Sequence, residues 1–255
     1  MPALGRPLPM NKSRTPLVGR IASVVLLGLA GCGKPPDGQE AASAAPDDGI
    51  RPLILAVTPE LPPYSFLDPK TGEVVGIDVE IVRAAAARLG RKLEIHQMEF
   101  AEMLPTVKSG KADFAASAIT ITEGRSRDVD FSLPYAEEGN AFLYRKGEPM
   151  PTMIRAESLR IGVVKSMTCD FFLTRHGLDP FRYHSVEDAI ADLVAGRQDA
   201  VFYDRPALIV AAEQSGGTLA VTPLETREHY GVAVRKNRPE FLEAVNAVIR
   251  ERNAK

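Results

Sequence analysis

Two successive rounds of apolar run followed by helical period set the strongest limit on what this chain can fold into. The stretch LILAVTP (53–59) is a short apolar run closed by proline, the pattern of a buried strand. From Asp78, DVEIVRAAAARLGRK places Val79, Val82, Ala86 and Leu89 on one helical face, with Gly90 as a stop. LEIHQM then reads as a strand, FAEMLPTVKSGK as a helix ending at Gly110, and ADFAASAI as a second buried strand. Ahead of the first helix, PYSFLDPKTGEVVGID carries Asp-Pro and Thr-Gly turn signals between short extended pieces, as in a hairpin. The same style repeats after Lys146: LRIGVVK, FRYHS and DAVFYD as strands, alternating with helices in TCDFFLTRHG, VEDAIADLVAGR and RPALIVAAEQSGG. YGVAVRKNRPEFLEAVNAVIRER closes the chain as a strand, a Pro-initiated turn and a helix. This alternation predicts α/β sheets flanked by helices, and its two rounds predict two lobes with polar groups gathered at strand C-termini.

The stretches AFLYRK (141–146) and LAVTPL (219–224) flank the second round and both look extended, so they are the expected crossings between lobes. That gives one lobe from 51–141 plus 224–255, a two-stranded hinge at 142–146 and 219–223, and a second lobe at 147–218. The alternative is a single continuous sheet with ordinary connections. A chain of 255 residues accommodates either.

The first 32 residues differ from the rest. Arg6, Lys12, Arg14 and Arg20 precede IASVVLLGLAGC, an uncharged apolar run too short to span a bilayer and suited to a secretory signal. A buried helix is the alternative, but the run has no polar face. It ends in Leu29-Ala30-Gly31-Cys32, which resembles the lipobox of bacterial lipoproteins and makes Cys32 the expected site of lipid attachment. Residues 33–50, rich in Pro, Ala, Gly and Asp, read as a flexible tether, with the folded part starting near Arg51.

With 31 basic and 33 acidic side chains the net charge is −2, which argues against a nucleic-acid surface. Cys169 is the only other cysteine and reads as a small packed side chain; the four histidines have no ligand spacing, so neither a metal site nor a cofactor is expected.

The stretch SAITITEGR (117–125) ends in an arginine within one helical turn of Thr120 and Thr122. An arginine fork grips a carboxylate through two parallel bonds, which a lysine does not match. Beside it Thr120 and the backbone at Ala118 would supply shorter-range groups, a set suited to the α-carboxylate and α-ammonium of an amino acid. A surface ion pair or a place beside a helix cap is the plainer reading of Arg125.

PPYSF, GEVVGIDVEIVRAAAARLG, FAEMLPTVKSGKADF, ITITEGR, VDFSLPY, DAVFYDRPAL and YGVAVRK, in this order, resemble the amino-acid-binding proteins of bacterial ABC importers, solute-binding protein family 3. The resemblance runs through nearly all of the chain after the tether. It implies the two-lobed periplasmic-binding-protein fold of type II. It also implies a lipid-anchored periplasmic monomer that closes on an amino acid and delivers it to an importer permease. By the resemblance, Arg125 clamps the ligand carboxylate beside Thr120, the Ala118 carbonyl receives the ammonium, and Asp204 pairs with that ammonium from the second lobe. Thr168 offers a hydroxyl and a backbone N–H to the carboxylate, and Phe100 forms an aromatic wall; plainer roles are core packing for Phe100 and a helix cap for Asp204. Glu60, Glu99 and Tyr203 are expected to tune side-chain choice.

Three departures stand out. Ser166-Met167-Thr168 replaces the family's Gly-Thr pair, Leu61 stands at the usual aromatic stacking position with Tyr64 or Phe66 as substitutes, and the chain stops at Lys255, earlier than the usual final helix and tail. The family also resembles cyclohexadienyl dehydratases, for which Glu60 or Glu99 would serve as general acid. A sensor module is a third reading.

Overall fold

The computed structural model describes residues 51–254; the expected export signal, Cys32 and the tether lie outside the described residues. The chain begins with β1 (Leu53–Val57), a small antiparallel group of β2 (Glu60–Leu61), β3 (Ser65–Leu67) and β4 (Val74–Val75), and α1 (Ile77–Arg88). It continues through β5 (Leu93–Gln97), α2 (Phe100–Lys108), β6 (Phe114–Ala115), α3 (Glu123–Ser126), β7 (Asp130–Phe131), β8 (Ala136–Glu138) and β9 (Asn140–Arg145). A 3₁₀ helix (Met153–Ser158) leads to β10 (Ile161–Val164), α4 (Thr168–Arg175), β11 (Phe181–Tyr183), α5 (Val186–Val194), β12 (Ala200–Asp204) and α6 (Arg205–Gln214). The last elements are β13 (Leu219–Val221), β14 (Glu228–Tyr230), β15 (Ala233–Val234) and α7 (Pro239–Asn253).

Two five-stranded sheets organise these elements, in the orders β5-β1-β6-β15-β7 and β11-β10-β12-β9-β13. In each, β-α-β units run parallel, β1 beside β5 and β6, β10 beside β11 and β12, while the returning strands pair antiparallel. Parallel strands are buried on both faces, so β1 reads as a continuous apolar run rather than an alternation. In α1 the residues Ile81, Val82, Ala85 and Ala86 turn to the first sheet's core, and α7 covers that same core with Phe241, Val245 and Ile249. That closing helix packs on α1.

The crossings lie elsewhere than expected. AFLYRK forms most of β9, a strand held between β12 and β13 within the second sheet, and LAV of 219–221 is that sheet's edge. The passages between the sheets instead run through β8 and β14, an antiparallel pair of its own with Glu228 opposite Glu138 and Tyr230 opposite Ala136. Burial explains the difference: Ala141, Phe142 and Leu143 are fully buried and belong to a core, whereas the AEE of β8 is a half-solvated ribbon. The expected strand ADFAASAI is also shorter, because the chain leaves the ladder after Ala115 and turns at Ala118 with φ 48°.

Gly139 lies between β8 and β9, where a Cβ would stand 2.2 Å from the carbonyl oxygen of Thr226. Gly139→Ala is expected to lower stability by about 1–3 kcal/mol, since backbone must move to admit the methyl. Gly124→Ala, which meets open space, should stay within about 0.5 kcal/mol. Urea unfolding followed by circular dichroism compares the two.

Candidate functional site

A cleft cavity of about 640 Å³, mouth included, opens where strand C-termini of both sheets meet helix N-termini. Thr58 follows β1, Ser117 and Ala118 follow β6, and Tyr203 and Asp204 end β12. Phe100, Thr168 and Val186 are the first residues of α2, α4 and α5, so the positive ends of several helix dipoles border the same space.

Arg125 is fixed before anything binds. Thr122 caps α3 by accepting the Arg125 N–H at 3.2 Å, so the residue sits at a helix cap and in the cavity at once. Its Nη1 donates to the Thr120 carbonyl at 2.8 Å, and its Cζ lies 5.4 Å from the centre of the Phe100 ring. Phe100 is thus cavity wall and support for the guanidinium together. Desolvation lowers the guanidinium's hold on its proton, and Asp204 and Glu228 raise it again. No other N–H of the fork has a partner among the described residues.

Ala118 is buried, and its N–H donates to Asp78 at 3.0 Å while its carbonyl has no partner among the described residues. Asp78 thereby holds the turn that shapes this wall. The Thr120 hydroxyl donates to Glu228 Oε2 at 2.5 Å and the Thr168 hydroxyl to the same oxygen at 3.2 Å. Ser166 adopts φ 64°, the left-handed conformation a glycine would take, and its N–H donates to Asp170 at 3.0 Å.

Asp204 stands at the cap position of α6 but its side chain makes no capping bond; it faces the cavity and has no hydrogen bond or ion pair among the described residues. Burial, then Glu228 and Glu138, push its pKa up to about 7, with Arg125 opposing.

Of the other expected residues, Leu61, Glu60 and Tyr203 line the cavity, and Tyr64 does not. Tyr64 is 5% exposed in the first sheet's core, edge-on to Tyr230 at 5.2 Å, with its hydroxyl 3.2 Å from Glu138. The antiparallel pairing of Leu61 with Ser65 makes a tight turn, and Leu61 rather than Tyr64 lines the cavity. Phe66 and Glu99 lie outside the lining too. Cys169 is buried in the second core, where burial raises its thiol pKa. Among the described residues no set of three His, Cys, Asp or Glu side chains is grouped to hold a metal.

Sequence reasoning missed Glu228, Glu187 and Ser117. Glu228 is 8% exposed and also accepts from the Asn140 amide, yet it lies in TREHYG, a polar stretch with no motif. Glu187 had one signal: it follows the Ser185 cap of a helix that starts at a strand's C-terminus.

Two α/β lobes joined by a strand pair, with a polar cavity fed by both, define a hinged binding protein. The chain belongs to the bacterial extracellular solute-binding proteins, family 3, whose profile matches residues 53–255. It is 31% identical over 228 residues to a probable histidine-binding protein of Neisseria gonorrhoeae, covering 86% of this chain and 84% of that one. The L-arginine-binding protein of Pseudomonas aeruginosa is 31% identical over 212 residues, 78% of this chain and 82% of its own. Among solved structures, the substrate binding protein of an amino acid ABC transporter superposes with a TM-score of 0.71 at 25% identity, covering 79% of this chain and 93% of that one. The fold is the type II periplasmic-binding-protein fold, and the protein is an extracytoplasmic solute-binding protein rather than an enzyme.

A carboxyl with a folded pKa near 7 and an unfolded value of about 3.9 binds more protons in the native state between those limits. Asp204 therefore favours the fold at low pH and costs stability as pH rises from about 4 to about 7. Asp78, Glu60 and Glu225 are raised in the same direction, so the informative quantity is a difference. The melting temperature of Asp204→Asn minus that of the natural protein is expected to grow from pH 5 to pH 8. A flat difference would place the Asp204 carboxyl in an ordinary, solvated environment.

Proposed function

We propose that the protein captures an amino acid between its lobes and presents it to the permease of an ABC importer, acting as a monomer anchored to the membrane by lipid at Cys32. The observation that carries this reading is one cavity holding Arg125 from the first lobe and Asp204 from the second, each with unmet bonding capacity. Arg125 receives the α-carboxylate, helped by the Thr120 N–H. Asp204 and the free carbonyl of Ala118 receive the α-ammonium. Thr168 adds its backbone N–H at the start of α4, and Leu61 and Phe100 enclose the side chain. The names of the similar proteins, for histidine, for arginine and for an amino acid transporter, support the ligand class. Acyl chains on Cys32 would contribute about 0.8 kcal/mol per buried CH₂.

Calorimetry on the purified protein with the twenty amino acids tests the reading. Arg125→Ala should weaken the amino acid that binds by about 2–5 kcal/mol, because a desolvated carboxylate is left unpaired. An unchanged affinity removes Arg125 from the clamp. Asp204→Asn should weaken amino acids while sparing analogues that lack the α-ammonium; equal weakening of both sinks the ammonium assignment. For the anchor, Cys32→Ser should move the protein from the membrane pellet to the soluble fraction, and continued sedimentation with membranes would refute lipidation at that residue.

A further inference from the structure

The cavity carries more negative charge than a plain zwitterion uses. Its wall holds three carboxylates, Glu60, Glu187 and Asp204, against a single cation, Arg125. A ligand carboxylate on Arg125 and an ammonium on Asp204 account for one protein charge each, and Glu60 and Glu187 remain unmatched. They come from opposite lobes, Glu60 from β2 and Glu187 from the first turn of α5. Neither side chain has a hydrogen bond or ion pair among the described residues.

Exposed glutamates usually do no more than keep a surface soluble, and both of these reach solvent. Their placement argues for more. Both line the cavity that holds Arg125 and Asp204, and they stand close enough for Glu187, with Glu99, to add to the effect of burial in raising the Glu60 pKa. Two like charges facing each other across a cleft oppose its closing unless something positive enters between them. The rest of the wall includes Leu61, Phe100, Met167 and Val186, apolar surface of the kind that covers a methylene stem while its charged head stays near water.

We propose that the site selects amino acids with a cationic side chain, Glu60 and Glu187 receiving that charge from the two lobes; this rests on the amino-acid reading above. The carboxylate and ammonium anchor one end of the ligand, the aliphatic stem runs along the apolar wall, and the terminal cation replaces the repulsion between the two glutamates with attraction to both. Closure and selectivity then come from the same pair of residues.

The test is calorimetry with L-lysine, L-arginine, L-glutamine and L-norleucine, the last matching lysine in its methylene stem without the charge. The natural protein is expected to bind lysine or arginine at least about ten-fold more tightly than the two neutral amino acids, the order expected of two partly screened charge pairs. The double variant Glu60→Gln, Glu187→Gln should lose that preference, with a thermal melt showing that it folds. Tighter binding of a neutral amino acid by the natural protein would overturn the charge assignment while leaving the amino-acid reading in place. A cation preference that survives in the double variant would overturn the role of these two residues. Failure of every amino acid to bind would overturn the amino-acid reading, and this inference with it.

Discussion

The site depends on one buried carboxylate that touches no solvent. Asp78, the second residue of α1, is fully buried and accepts bonds from the Ser65 hydroxyl at 3.1 Å, the Ala118 N–H at 3.0 Å and the Tyr135 hydroxyl. Burial raises its pKa, and these three donors pull it back down. Each donor belongs to a different piece of the first lobe: the small antiparallel group, the end of β6, and the residue that leads into β8. The carboxylate therefore sets where the cavity wall turns and where the chain leaves for the second lobe. A hydrophobic residue of similar size would fill the space but leave those donors unpaired, at about 1–3 kcal/mol each.

Glu228 does at the hinge what Asp78 does inside the lobe. It lies on β14 and accepts from Thr120 of the first lobe and Thr168 of the second, with Asn140 at the start of β9 as a further donor. The threonine hydroxyls that the family resemblance assigns to a ligand are thus already engaged by the protein. The donors that remain at these two residues are the backbone N–H groups of Thr120 and Thr168. Glu228 also adds negative charge behind the cavity, raising the Asp204 pKa and helping to keep Arg125 charged despite its desolvation.

Local pattern and tertiary packing divide what the sequence could tell. Strands such as LILAV and helices such as that from Ile77 were legible because their apolar periods survive in the folded chain. Strand ends and the family resemblance pointed to Arg125, Thr120, Ala118, Asp204 and Thr168, and all five line one cavity. The hinge was misplaced because β9 and β8 are both extended; what separates them is that Ala141, Phe142 and Leu143 are apolar and adjacent, the mark of a strand covered on both faces. Tyr64 was misplaced by proximity in sequence, since a tight turn sends it into the core three residues after Leu61 reaches the cavity. Glu228 and Glu187 were not legible as a site: each is defined by what it meets from the other lobe, and no local period records that.

Closure needs an unsatisfied site, and the arrangement of Arg125 and Asp204 supplies one. Were the two paired directly, the lobes would hold together without a ligand, and any guest would have to break that pair first. Here they interact only at a distance, and no ion pair joins them among the described residues. Arg125 is instead held in place by the Thr120 carbonyl and the Phe100 ring, while Asp204 is left with a pKa near 7. On the proposed function, a zwitterion entering the cleft would exchange one weak long-range attraction for two close pairs, one on each lobe. Under that proposal the pairs would form together only when the lobes are shut, and the gain would belong to the closed state alone. That difference in affinity between states is the quantity that can shift a hinge equilibrium; tight binding to one lobe alone would leave it where it was.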